Sequence, residues 1–87
     1  LNVDEKLFED PSENELYKGY IEVTKQKYES YEEELDALLG LKPKLDRFFD
    51  SVMVNADDEA IKNNRKSLVA SIYKSILNIA DIKEVSI

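Results

Sequence analysis

Phe48-Phe49-Asp50-Ser51-Val52-Met53-Val54-Asn55-Ala56-Asp57-Asp58-Glu59-Ala60-Ile61-Lys62-Asn63-Asn64-Arg65 is the stretch on which the fold of this 87-residue chain turns. Its first part continues an apolar series, Leu41, Leu45, Phe48, Phe49, Val52 and Met53, whose spacing of four, three, one, three and one fills a broad stripe on a helix. That stripe predicts a helix central to the core. Asn55-Ala56-Asp57-Asp58 then reads as a turn. Asp57 or Asp58 suits the N-cap of a following helix, where side-chain oxygens accept orphan N–H groups and negative charge meets the positive end of the dipole.

The following helix is expected over roughly residues 58 to 80 from its period. Ile61, Leu68, Ile72, Ile76 and Ile79 form one line, thickened by Val69, Tyr73, Leu77 and Ala80 and interrupted only at Asn64 and Arg65. A guanidinium on an inward face needs a carboxylate, and Asp50, Asp57 and Asp58 are the near candidates by sequence. The structural reading, in which Asn64 and Arg65 tie this helix to the preceding turn, weighs ahead of direct RNA contact.

Upstream, Asp10-Pro11-Ser12-Glu13 starts a helix. Asp10 offers an N-cap, Pro11 suits the first helical position, and Ser12 with Glu15 offers an overlapping capping box, so either Asp10 or Ser12 serves as the cap. Leu16, Tyr20, Val23 and Lys27, flanked by Tyr17, Thr24, Tyr28 and Tyr31, share a side of it. Ser30 and Glu33 mark a restart near residues 29 to 31, and a short helix with Leu35, Leu38 and Leu39 stops at Gly40. Gly40 is expected in a left-handed C-terminal position and Pro43 in the next first turn, making a tight corner between antiparallel neighbours. The expected architecture is all-α, a small antiparallel bundle of three to four helices, with residues 1–9 a lead-in and 10–87 one helical domain.

Composition bounds what such a bundle can do. A chain this short buries about 60% of the surface exposed when unfolded, so its core is modest. It begins at Leu1 and shows no basic segment leading into an apolar run, which is read as a piece of a longer polypeptide without a targeting signal. With neither cysteine nor histidine, disulfides, thiolate nucleophiles, imidazole ligands and the commonest general base are excluded. A cytoplasmic location fits that usage. A net charge of −7 repels nucleic acid at long range, so no DNA partner is expected, and RNA binding would need a local basic face. No membrane partner is expected either, since no apolar run is long enough to span a bilayer.

The candidates for such a face are Lys42, Lys44 and Arg47 at the start of the third helix and Lys62, Arg65 and Lys66 on the fourth, joined by the polar Asn55 and Asn64. The blander reading is a solvated face, because the groups start near opposite ends of antiparallel helices. Tyr17, Tyr20, Tyr28 and Tyr31 could stack unpaired bases, but tyrosines on a helical stripe generally bury their rings. Glu32-Glu33-Glu34 with Asp36, and Asp57-Asp58-Glu59, lack the Gly-containing spacing of a calcium loop and read as caps and solvated surface. Ser51, Ser67, Ser71 and Ser75 have no histidine to activate them, and two glycines supply no phosphate-cradling loop. No catalytic, metal or cofactor site is assigned.

The Phe48 to Arg65 run resembles a motif of the C-terminal helical domain of the bacterial glycyl-tRNA synthetase beta subunit, of the form F-F-D-x-V-M-V-x-A-D-D-x-A-x-x-x-N-R. The likeness extends from about Tyr28 to Ile82 and includes Leu39-Gly40-Leu41-Lys42-Pro43 and Ala80-Asp81-Ile82. It implies an anticodon-binding fold akin to that of arginyl-tRNA synthetase, named for a D-A-L-R signature that Asp36-Ala37-Leu38-Leu39 matches only in passing. It further implies a parent ligase that joins glycine to its tRNA with ATP and magnesium, and an alpha subunit that looks after adenylate chemistry. Glycine tRNA would be this segment's partner. Phe48, Phe49, Asp50, Asp57 and Asp58 are the motif's structural members, while Asn55 departs from a frequent Met at that place. A module that braces subunits or domains without touching RNA is the other reading, and it suits an acidic surface.

Overall fold

The structure, a computed structural model, describes residues 3–54 and 56–85; Asn55, one of the candidate residues, lies outside them. A 3₁₀ turn at Glu5–Leu7 precedes four helices: α1 Pro11–Lys25, α2 Tyr31–Leu39, α3 Lys42–Ser51 and α4 Glu59–Val85. The described residues contain no strand. At 27 residues α4 is about 40 Å long by its rise, and it sets the 44 Å long axis of the molecule. No helix among the described residues is long and apolar enough to cross a membrane.

Local chemistry fixes each boundary. Asp10 is the N-cap of α1, its carboxylate accepting the Ser12 N–H at 2.9 Å, with Pro11 in the first turn. The reciprocal partner in the capping box is Glu13, not Glu15. α1 stops at Lys25, earlier than its stripe suggests, because local side chains compete for its last carbonyls. Thr24 Oγ1 donates to the Ile21 carbonyl at 2.9 Å and the Tyr28 hydroxyl to the Val23 carbonyl at 2.9 Å. Lys27, expected on the inward stripe, is therefore exposed in the loop. Ser30 caps α2 through the Glu33 N–H, and Asp58 caps α4 by accepting from Ala60 and Ile61.

The corner after α2 differs from expectation. Gly40 sits at φ −64° and ψ −13° and Leu41 at φ −78° and ψ −8°, both right-handed. The Gly40 N–H bonds the Asp36 carbonyl and the Leu41 N–H that of Leu38, so the chain turns without a left-handed residue. α2 and α3 do not fold back as a hairpin. They diverge, α2 packing on α4 and α3 packing on α1. The α1–α3 crossing depends on Gly19, where a Cβ would stand 3.0 Å from Leu41 Cδ2 and 3.1 Å from Lys44 Cδ.

Leu16, Tyr20, Leu38, Leu41, Phe48, Leu68, Ile72 and Ile79 form the buried core, with Leu45, Val52, Val54, Val69 and Ile76 packed against it. Phe48 is fully buried, yet its neighbour Phe49 is 43% exposed and Met53 74%. The apolar arc of α3 is wider than what α1 and α4 can cover together, so its far edge faces solvent, as do Tyr73 and Leu77 on α4. Phe49 keeps an edge-to-face contact with Phe48 at 5.5 Å between centroids.

Truncating the two adjacent phenylalanines should therefore give unequal losses in urea unfolding. Phe48→Ala is expected to cost about 3–5 kcal/mol by leaving a cavity, and Phe49→Ala under about 1 kcal/mol, as at an exposed position. Equal losses would contradict this packing.

Candidate functional site

The polar interruption of the α4 stripe is buried: Asn64 is 4% exposed and Arg65 6%. Asn64 reads the backbone of the lead-in at two points. Its Oδ1 accepts from the Asp4 N–H at 2.6 Å and its Nδ2 donates to the Asp4 carbonyl at 2.9 Å. One amide thus completes both hydrogen-bonding groups of one extended residue and pins the 3₁₀ turn against α4.

Arg65 is paired with neither Asp50, Asp57 nor Asp58. Its Nη1 donates to the Met53 carbonyl at 2.7 Å and its Nη2 to Glu13 Oε1 at 3.1 Å, with Glu9 Oε1 at 3.5 Å. Glu13, fully buried, accepts at the same Oε1 from the Glu9 and Asp10 N–H groups, each at 3.1 Å. Asp50 and Asp57 are exposed, and Asp58 is committed to its cap. The partner lies 52 residues away in the chain because the capping box that opens α1 places its glutamate against α4. The Asn64 amide and both terminal nitrogens of Arg65 are thus engaged inside the protein, while the buried Arg65 Nε has no hydrogen-bond partner among the described residues. Their part in any RNA contact reduces to holding the turn after α3 in place.

The remaining candidate cations divide between two edges of α3 and one stretch of α4. Lys42 pairs with Asp46 at 3.2 Å, Arg47 crosses to Glu15 on α1 at 2.9 Å, and Lys62 pairs with Glu59 at 3.2 Å. Pairs as exposed as the first two contribute about 0–1 kcal/mol and exchange readily for other anions. Lys44 lays its stem against Gly19, and Lys66 is exposed; among the described residues neither is in an ion pair. Lys44 and Arg47 therefore share the α1–α3 crossing, while Lys18 lies on the adjoining face of α1, in a shallow hollow with Glu5, Tyr17, Ile21, Glu22 and Lys25. Lys62 and Lys66 do not join them. Of the four tyrosines considered for stacking, Tyr20 is buried with its hydroxyl 2.7 Å from Ser75 Oγ, Tyr17 packs edge-on to Phe8 and Tyr28 is tied to Val23. Tyr31 alone of these is exposed.

Sequence comparison carries the assignment. The chain is 46% identical over 86 residues to the glycine–tRNA ligase beta subunit of Sulfurihydrogenibium sp. (strain YO3AOP1), covering 92% of this chain and 12% of that relative. Beta subunits of the same ligase from Clostridioides difficile (strain 630), 36% identical over 95% of this chain, and Dechloromonas aromatica (strain RCB), 37% identical over 97%, match likewise. The chain belongs to the glycine–tRNA ligase beta-subunit family. It spans only 12% and 13% of the length of these relatives, which are much longer polypeptides. No family model and no solved structure matches it.

Glu13, Glu15 and Gly19 complete this beta-subunit segment and were not among the sequence candidates. Glu13 was legible as the fourth residue of Asp10-Pro11-Ser12-Glu13, three after the N-cap. Gly19 had no signal beyond being a glycine inside a helical pattern, which suggests close approach of another element.

The buried clasp makes Glu13 and Arg65 energetically interdependent. Glu13→Gln leaves the Arg65 guanidinium without its buried counter-charge and should cost about 3–5 kcal/mol in urea unfolding. Combined with Arg65→Met it should cost clearly less than the two single effects added together; strict additivity would show that the pair is not coupled. The Ser12 hydroxyl, and after it the Ser12 N–H, hold the Asp10 carboxyl below its ordinary value of 3.8, against a smaller opposing effect of burial and with help from the Arg65 charge. A depressed carboxylate stabilises the fold above its unfolded pKa, and that contribution disappears as pH falls through the folded pKa. The stability gap between the parent and Asp10→Asn should accordingly close below pH 3.8 and stay constant above about pH 5. A gap independent of pH would contradict the assignment.

Proposed function

We propose that this segment is the tRNA-engaging, anticodon-facing module of the beta subunit of a cytoplasmic glycine–tRNA ligase, which attaches glycine to its tRNA using ATP together with an alpha subunit. The observation that carries the reading is the match along more than nine-tenths of the chain to beta subunits of that ligase. The segment's contribution is recognition. ATP and magnesium would be handled elsewhere in the enzyme, since two glycines supply no phosphate-cradling loop in this segment.

The α1–α3 crossing is the surface that suits this role. Lys44 is an exposed cation there, Lys18 is exposed on the adjoining face of α1, and Arg47 offers a planar donor pair whose present partner, Glu15, is half-exposed and replaceable by phosphate. Phosphate contacts there would set the position of an anticodon loop, and base-edge contacts would discriminate. With a net charge of −7, association of the segment depends on such a local patch and on basic surface contributed by the rest of the enzyme.

Lys18→Ala combined with Lys44→Ala in the intact ligase should weaken glycine tRNA binding and flatten its salt dependence. The slope of log K against log salt should fall by about 0.7 for each phosphate of a single-stranded loop that is no longer neutralised. Both side chains are exposed, so thermal unfolding should be unchanged. Unaltered affinity and slope would remove this surface from the proposal.

A further inference from the structure

The opposite edge of α3 has a different character. Leu39, Leu45 and Phe49 face Ile72, Tyr73 and Ile76 of α4 across a groove of about 270 Å³. Leu39, Phe49 and Tyr73 are 43–50% exposed, and Leu77, one helical step beyond Ile76, is 62% exposed. Apolar side chains scattered singly on a surface need no explanation, but three large ones along one groove, with Leu77 a helical turn past Tyr73, mark an interaction surface, and aromatic residues are enriched at the centres of such surfaces. The one cation lining the groove, Lys42, is paired with Asp46, another lining residue. With one cation and one anion in its lining the groove carries no net positive charge to attract phosphate, and the candidate RNA-facing cations Lys44 and Arg47 lie on the α1 side of the helix.

We propose that this α3–α4 groove docks an apolar segment of the same beta subunit that lies outside this chain, locking the helical module to the body of the enzyme. The inference rests on membership of the family and not on the RNA reading. Its occupant follows from two facts. The relatives carry this segment as 12% of their length, so the rest of the polypeptide is covalently held at high effective concentration beside the groove. A second copy is disfavoured, because two chains of net charge −7 repel each other. The fitting chemistry is a helix or loop presenting Leu-, Ile- or Phe-type side chains at helical spacing, inserting between Phe49 and Tyr73.

Photocrosslinking of the full-length beta subunit in complex with its alpha subunit tests this. p-Benzoylphenylalanine in place of Phe49 or of Leu77, with exposed Lys74 as the control site, is irradiated in mixtures of isotopically light and heavy beta subunit, with and without tRNA. Adducts from Phe49 and Leu77 are expected on peptides of the same polypeptide outside this segment, without light–heavy hybrids, independent of tRNA, and absent from the Lys74 control. In a second variant, Phe49→Asp should abolish the Leu77 adduct while far-ultraviolet circular dichroism stays unchanged, since Phe49 adds little to the core. Adducts confined to tRNA, to the alpha subunit or to a second beta copy would overturn the proposal, as would no adduct at either position.

Discussion

One buried carboxylate oxygen, Glu13 Oε1, holds three parts of the molecule together. It closes the N-terminus of α1 by accepting two backbone N–H groups and receives the Arg65 guanidinium from α4, while the same guanidinium takes the Met53 carbonyl of the turn after α3. A charge this deep is tolerated because Oε1 gathers three charge-assisted contacts, each at 3.1 Å, which replace part of its hydration. Pairs of this kind add little net stability relative to apolar packing, but they are demanding of geometry. With Asn64 next to Arg65 bonded to both backbone groups of Asp4, only one rotation and one axial position of α4 satisfies all partners. The polar cluster thus sets register, and the apolar core supplies the free energy.

That division of labour explains the order of the layers. A helix of 27 residues cannot be fixed by its N-terminal end alone. Farther along, Tyr20 reaches from α1 to Ser75 and to the Ser71 carbonyl of α4, and α2 lays Leu38 on the same helix. Between these two polar anchors Leu68 and Ile72 meet Leu16, Leu41 and Phe48. α3 is left to lean on α1, where Gly19 removes the side chain that would hold Leu41 and Lys44 away. Because α3 is anchored mainly on that side, its other flank carries an unfilled apolar edge.

Much of this was legible in the residues. The periods of Leu16–Tyr20 and Leu68–Ile72–Ile79, the caps at Asp10, Ser30 and Asp58, and the oddity of Asn64-Arg65 in an apolar stripe are local signals, and each found its place in the fold. What sequence could not reach was long-range choice. Asp50, Asp57 and Asp58 are near Arg65 in sequence, yet the partner is set by how the start of α1 packs against α4, which no local pattern encodes. Gly40 looked like a left-handed stop, but a right-handed corner closes the same carbonyls and sends α2 and α3 apart instead of back to back. The apolar stripe of α3 marks a helix central to the core, but periodicity reports a face without its width of cover; Phe49 and Met53 lie beyond it. Among the candidate cations, the nearness of Lys44 and Arg47 to α1 depends on a crossing at Gly19, which no local pattern encodes.

The two flanks of α3 bear on how so acidic a chain can serve a tRNA ligase. Long-range charge works against the isolated segment approaching RNA, and screening at physiological salt limits that repulsion to about 8 Å. Under the proposed RNA-engaging role a cationic patch would act only if something else delivered the RNA to it, and the natural carrier would be the large remainder of the subunit. An apolar edge on the far flank fits that requirement, because a module whose affinity is borrowed from its neighbours must be rigidly held by them. Phe48 in the core and Phe49 at the rim express the same logic within two adjacent residues: one ring fixes α3 inside this segment, and the next, in edge contact with it at 5.5 Å, transmits that fixed position to whatever packs outside.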